Sequence, residues 1–247
     1  MNGRALLRVG GIVLLFAVLA PIHIGTQTIF GRSHWPRRFL GAAAWIIGVR
    51  VRISGRRPGR HALLVANHTS WLDILILGGS LGSAFVSKDQ LGHRLIHWLA
   101  DQNDTVYVKR AHVRGARDQA IALAKALEGA QPITVFPEGT TGPGTHLLPF
   151  RSTLLEAANF APHDVAIRPV AIDYGNAKAE VGWYEEKGAD NVKRILERRG
   201  TLPVTVRMLP PLDPALDRKQ LTHEARERIA ETLGFRSPAR SRIGTAE

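Results

Sequence analysis

The chain has no cysteine among its 247 residues. That absence excludes a disulfide framework, a zinc ribbon and a thiol nucleophile, although it leaves the compartment open. There is no internal repeat and no low-complexity tract, so a solenoid or repeat array is excluded as well. Acidic residues are missing from the whole stretch before Asp73. Residues 1–72 carry ten arginines (Arg4, Arg8, Arg32, Arg37, Arg38, Arg50, Arg52, Arg56, Arg57 and Arg60) and no opposing charge. The formal net charge is +12, with 33 Lys+Arg against 21 Asp+Glu, so the remaining 175 residues are close to neutral. An excess of one sign confined to an apolar segment points to an anionic membrane surface rather than to nucleic acid, and no nucleic-acid-reading module is recognisable.

What is present in that segment is a run without formal charge between Arg8 and Arg32. It is long enough to cross a hydrocarbon core of about 30 Å. Its second half is interrupted by Pro21, Gly25 and polar residues, and a second apolar patch, Phe39 to Val49, is too short to span. A pair of helices lying in the interface, or one kinked span, fits this pattern better than two crossings. Cleavage as a signal peptide after Ala20 would place Pro21 next to the cut, which disfavours it. If the segment spans, the arginines beyond residue 31 place the rest of the chain on the cytoplasmic side. Residues 1–60 are therefore read as a membrane-associating segment, residues 61–234 as the main folded domain and residues 235–247 as a disordered basic tail.

From residue 62 short β-rich runs alternate with helix-period stretches. Strands are expected at Ala62–Ala66, Ser83–Ser87, Thr105–Val108, Pro132–Phe136, Val165–Ile172 and Pro203–Leu209. Helices are expected at Ser70–Leu77, Leu91–Ala100, Gly115–Glu128, Ser152–Phe160, Asn191–Arg199 and Arg218–Leu233. The alternation predicts an α/β fold with a mainly parallel sheet flanked by helices.

Two strand-to-loop junctions carry candidate chemistry. In ALLVANHTSWLD, His68 leaves a strand and Asp73 follows five residues later at the start of a helix. That spacing lets the carboxylate return to the imidazole, fix its tautomer and stabilise an imidazolium, so that His68 can serve as a general base towards an alcohol. The competing reading is a capping box over Ser70 to Asp73, with the carboxylate satisfying only a free backbone N–H. In ITVFPEGTTGPG, an apolar strand runs into a loop where Gly139, Gly142 and Gly144 allow close backbone approach. There the hydroxyls of Thr140 and Thr141 could bind head-group oxygens and Glu138 could hydrogen-bond a hydroxyl. Taken alone the second is an ordinary turn; two such junctions in one sheet are more informative, because active sites gather at the carboxyl ends of strands.

Together these segments resemble the 1-acylglycerol-3-phosphate acyltransferases. Asn67-His68-Thr69-Ser70-Trp71-Leu72-Asp73 matches the N-H-x-S-x-x-D motif, Tyr107-Val108-Lys109-Arg110 is similar to the second motif and Phe136-Pro137-Glu138-Gly139-Thr140 matches F-P-E-G-T. Ile167-Arg168-Pro169-Val170-Ala171-Ile172 is similar to the fourth, a strand bearing a proline beside the site. The resemblance implies catalytic roles for His68 and Asp73, and acceptor binding by Arg110, Glu138, Gly139, Thr140 and Thr141. It also implies transfer of a fatty acyl chain from acyl-CoA or acyl carrier protein to a lysolipid hydroxyl, with no metal or redox cofactor and with membrane lipids as partners. The acceptor it implies is 1-acyl-sn-glycerol-3-phosphate. Thr141 stands where an Arg is usual, and Leu147-Leu148-Pro149-Phe150-Arg151 looks more like the branch acting on lyso-ornithine lipid, which is the alternative acceptor. Backbone amides near Ser70 are the candidate oxyanion donors.

Two further patterns are distractors. Gly78-Gly79-Ser80-Leu81-Gly82 fits a nucleophile elbow, but it follows an expected helix instead of a strand. His93 and His97 lie at helical spacing without a carboxylate, more a helix face than a metal site.

Overall fold

A computed structural model describes residues 1–59, 61–88, 94–108, 113–129, 131–161 and 165–235. The chain opens with two helices, α1 (Gly3–Phe30) and α2 (Trp35–Ile47), followed directly by strand β1 (Val49–Ser54). Then come β2 (Ala62–Ala66), α3 (Leu72–Leu81), β3 (Ala84–Lys88), α4 (Arg94–Gln102), β4 (Val106–Val108), α5 (Val113–Ala126) and β5 (Ile133–Val135). After a 3-10 helix at Ser152–Asn159 follow β6 (Ala166–Asp173), α6 (Lys178–Val181), α7 (Gly188–Glu197), β7 (Leu202–Met208) and α8 (Arg218–Thr232).

The seven strands form one sheet in the order β1-β7-β6-β2-β5-β3-β4. Every pairing is parallel except β6 with β7, which is antiparallel. The mainly parallel sheet flanked by helices is therefore as expected. Strand β2 shows why its sequence is continuously apolar. Ala62, Leu64 and Ala66 pack into a core shared with α2, α3 and α7, while Leu63 and Val65 pack into a second core with α5, the 3-10 helix and α8. A central strand covered on both faces has no polar side to display.

Several elements differ from expectation. Strand β1 was not foreseen and falls within the stretch read as the N-terminal segment 1–60. Its alternation, Val-Arg-Val-Arg-Ile-Ser, is that of an edge strand with one face outward, paired only to β7. Helix α1 runs through Pro21 as one helix of 28 residues, longer than either member of a pair of short helices would be. Helix α3 begins at Leu72 and runs to Leu81, past the expected Leu77, and the expected helix Ser152–Phe160 is a 3-10 helix. Residues 236–247 of the expected tail lie outside the described residues.

Helix α1 is long and apolar enough to cross a membrane. It is nevertheless tied to the domain near both ends. Arg8 is buried and donates to the carbonyls of Ile195, Leu196 and Arg198 at the end of α7 (3.2, 2.9 and 3.0 Å). Near the other end, His23 Nε2 is 2.8 Å from Gln102 Oε1 on α4. Such carbonyl contacts account for part of the arginine excess: Arg4, Arg8, Arg37, Arg50 and Arg57 all donate to backbone carbonyls. Arg37 and Arg57 meet at Ser80 O, at the negative end of α3.

Candidate active site

Strands β6, β2 and β5 are adjacent and parallel, so their carboxyl ends open on the same edge of the sheet. Each delivers one part of the site. His68 follows β2, the Phe136–Gly144 loop follows β5 and Tyr174 follows β6.

Asp73 lies in the first turn of α3 and is fully buried (0% exposed). Its Oδ2 accepts from His68 Nδ1 (2.8 Å), Thr69 N–H (2.7 Å) and Ser70 N–H (2.9 Å), and its Oδ1 accepts from the Tyr174 hydroxyl (2.5 Å). The two readings of this motif are therefore both true of one carboxylate. It satisfies the free amides ahead of the helix, and the backbone so fixed aims the remaining lone pair at the imidazole. A carboxylate with four donors has its charge compensated without water. Tyr174 is buried with it, and burial, reinforced by the neighbouring Asp73 charge, pushes its phenol well above the ordinary tyrosine range. The phenol thus stays protonated and donates.

The acceptance by Asp73 places the proton on His68 Nδ1 and leaves Nε2 as the basic atom. The ring stacks on Phe136 at 4.0 Å between centroids, and Phe136 in turn stacks on Phe85. The main chain of His68 is clamped by the loop after β5. Its N–H donates to Glu138 Oε1 (2.7 Å), and its carbonyl accepts from Gly142 N–H (2.7 Å). Glu138 Oε2 takes the Leu148 N–H (2.9 Å), so both carboxylate oxygens tie loops together. Burial raises the Glu138 carboxyl to about 7, against the opposing pull of the His68 and Leu148 amides. Gly144 has φ +78°, and a Cβ there would lie 2.1 Å from Lys178 O, so only glycine lets this loop rest on α6.

The structure thus brings together His68, Asp73, Glu138 and Gly139. Thr140 is exposed and Thr141 half-buried on the same loop. Arg110 lies outside the described residues. Arg151, whose N–H bonds Pro137 O (2.9 Å), places its guanidinium beside Gly139. Of the backbone amides near Ser70 expected as oxyanion donors, those of Thr69 and Ser70 are spent on Asp73. Sequence reading missed Tyr174, which no spacing rule connects to Asp73 and which comes into reach only because β6 lies beside β2. It also missed Asn67, whose side chain pairs with both backbone groups of Ile172 at the end of β6.

The distractors resolve structurally. Ser80 lies inside α3, its Oγ bonded back to Ile76 O (2.6 Å), and not at the strand-to-helix turn that an elbow nucleophile needs. His97 stacks on Tyr107 at 4.6 Å, and His93 lies outside the described residues.

A histidine oriented by a buried carboxylate, on a sheet edge beside a glycine-rich loop, is an arrangement able to serve as a general base towards an alcohol. The family described as Acyltransferase matches residues 48–173, and the chain belongs to that family; it is an acyltransferase. It is 30% identical to the lyso-ornithine lipid O-acyltransferase of Rhodobacter capsulatus, over 96% of this chain and 92% of that one. It is 32% identical to the protein of the same name from Pseudomonas aeruginosa, over 85% and 83%. The 1-acyl-sn-glycerol-3-phosphate acyltransferase of Neisseria gonorrhoeae is 33% identical over 47% and 46%. Among solved structures, the 1-acyl-sn-glycerophosphate acyltransferase of Thermotoga maritima superposes with a TM-score of 0.61 at 25% identity, covering 90% of this chain and 93% of that one.

Proposed function

We propose that the protein transfers a fatty acyl chain from acyl-CoA or acyl carrier protein to the free hydroxyl of a lysolipid, and that this acceptor is lyso-ornithine lipid. The observation carrying the reaction is the Nδ1 to Asp73 bond, which leaves His68 Nε2 as a base beside the glycine-rich loop. His68 Nε2 removes the hydroxyl proton as that oxygen attacks the thioester carbonyl. Collapse of the tetrahedral adduct breaks the C–S bond, and the imidazolium returns the proton to the departing sulfur. Asp73 keeps the imidazolium paired throughout. Thioester-to-ester exchange needs no metal or redox cofactor.

The acceptor assignment is supported by relatives of that name matching most of the chain. The Thermotoga neighbour favours 1-acyl-sn-glycerol-3-phosphate as the second reading. Arg151, Gly139, Thr140 and Thr141 form the acceptor-binding side, Glu138 acts there by shaping the loop, and Arg110 is assigned to acceptor binding on the resemblance of its motif alone. Helix α1 lies along an anionic membrane surface, with the domain on the cytoplasmic side where both acyl donors are soluble. Side-by-side assays of the two lysolipids with each acyl donor test this reading. Faster transfer to lyso-ornithine lipid is expected; transfer to 1-acyl-sn-glycerol-3-phosphate alone would overturn the acceptor assignment.

A further inference from the structure

Helix α4 carries two large apolar side chains at the surface of the domain. On its nine residues, Arg94, His97 and Asp101 share one side, while Leu95, Ile96, Leu99 and Ala100 share the other. The polar side touches Tyr107 of β4 at the surface, with His97 and Asp101 themselves still partly exposed. Asp101 Oδ1 accepts from the hydroxyl of Tyr107 on β4 (2.6 Å), and His97 stacks on the Tyr107 ring. Of the apolar side, Leu95 is 48% and Ile96 56% exposed while Leu99 and Ala100 are half-buried, and α4 has no buried residue at all. One border of that apolar arc joins α1. Trp98 packs edge-on against Phe16 at 6.0 Å, and Gln102 meets His23. Helix α1 itself exposes Val13, Leu14 and Val18.

We propose that α4 is a second lipid-contacting element, inserting Leu95 and Ile96 into the same bilayer interface as α1. The inference rests on the membrane docking of α1 put forward above and extends it to the catalytic domain proper. Continuity with the apolar surface of α1 favours a bilayer as the occupant. The placement has a functional consequence. Strand β3 runs parallel to β5 and β4, and β5 runs parallel to β2, so α4 starts on the side of the sheet edge where His68 emerges. Lipid held under α4 would present its acceptor hydroxyl towards that edge.

The absence of native cysteine makes single-site labelling clean. Ile96→Cys, Leu14→Cys and, on α8 across the sheet, Glu231→Cys would each carry an environment-sensitive nitrobenzoxadiazole dye in the full chain. The proteins are then mixed with phosphatidylethanolamine/phosphatidylglycerol vesicles. The labels at positions 14 and 96 are expected to brighten several-fold and to be quenched by spin-labelled acyl chains, with position 231 unchanged. Silence at 96 with a response at 14 would overturn the role of α4 while leaving α1 docking intact. Silence at both would overturn the docking reading and this inference with it. Brightening at 96 that follows protein concentration without lipid would assign the face to a second copy and equally overturn the inference. In the unlabelled chain, Ile96→Glu should weaken vesicle association about tenfold with unchanged circular dichroism, the loss of one buried aliphatic side chain; undiminished association would count against insertion.

Discussion

At the scale of single residues, the decisive unit is the Asp73 carboxylate, whose two oxygens do different work. Oδ2 holds His68 and two amides, and Oδ1 is held by Tyr174. Replacing Tyr174 with Phe leaves Oδ1 buried without a donor. This should cost about 1–3 kcal/mol of stability and free the carboxylate to turn. Kinetics per folded molecule should then show kcat reduced about tenfold with KM little changed; an unchanged kcat would reduce Tyr174 to a packing role. Glu138 gives a pH signature. Its folded carboxyl titrates near 7, against 4.5 ordinarily, so the folded chain takes up a proton in that window that the unfolded chain does not. Stability attributable to this group is full below about 4.5 and is lost as pH rises through 7, on the order of 3 kcal/mol at most. Glu138→Gln removes the ionisation, so the stability difference between pH 5 and pH 8 in denaturant titrations should shrink relative to the parent chain. The pairing of His68 with Asp73 was legible because the partners are five residues apart across one strand-to-helix turn. The partners of Glu138 and Tyr174 are 70 and 101 residues away in sequence, and only the strand order brings them together.

At the scale of elements, the glycines of α3 show how one pattern can serve packing instead of chemistry. A Cβ on Gly79 would sit 2.5 Å from the backbone of Gly41, so α2 and α3 cross with their main chains in contact. Gly79→Ala should therefore force the helices apart and cost about 1–3 kcal/mol, read as a lowered midpoint of chemical unfolding. A change within experimental error would mean that the crossing is looser than described. Sequence periodicity identified α3 itself, but the reason for its glycines lay in α2. Strand β1 was missed for a related reason. Its alternating arginines read as part of a basic segment, whereas one face of an edge strand is open to solvent and tolerates them. The strands with both faces covered, above all β2, were legible because nothing polar fits in them.

At the scale of the whole molecule, the charge asymmetry divides into two parts. Arg4, Arg8, Arg37, Arg50 and Arg57 are occupied with backbone carbonyls, so part of the N-terminal excess is spent within the fold, and only the rest is left for the proposed docking on anionic lipid. Arg8 is the clearest case, and Arg8→Met should loosen α1 from α7, measured as faster amide exchange at the end of α7. Helices α1 and α4 touch through Phe16 and Trp98 and both expose large apolar side chains. That arrangement suits an enzyme whose acceptor lies in a membrane and whose acyl donor comes from solution. The assignment of His68 as the base is tested most directly by acyl transfer to a lysolipid in detergent, comparing the parent chain with His68→Ala. Transfer is expected to fall at least about a hundredfold, the contribution of a positioned general base, in a chain that remains folded. Transfer at the parental rate by folded His68→Ala protein would contradict it.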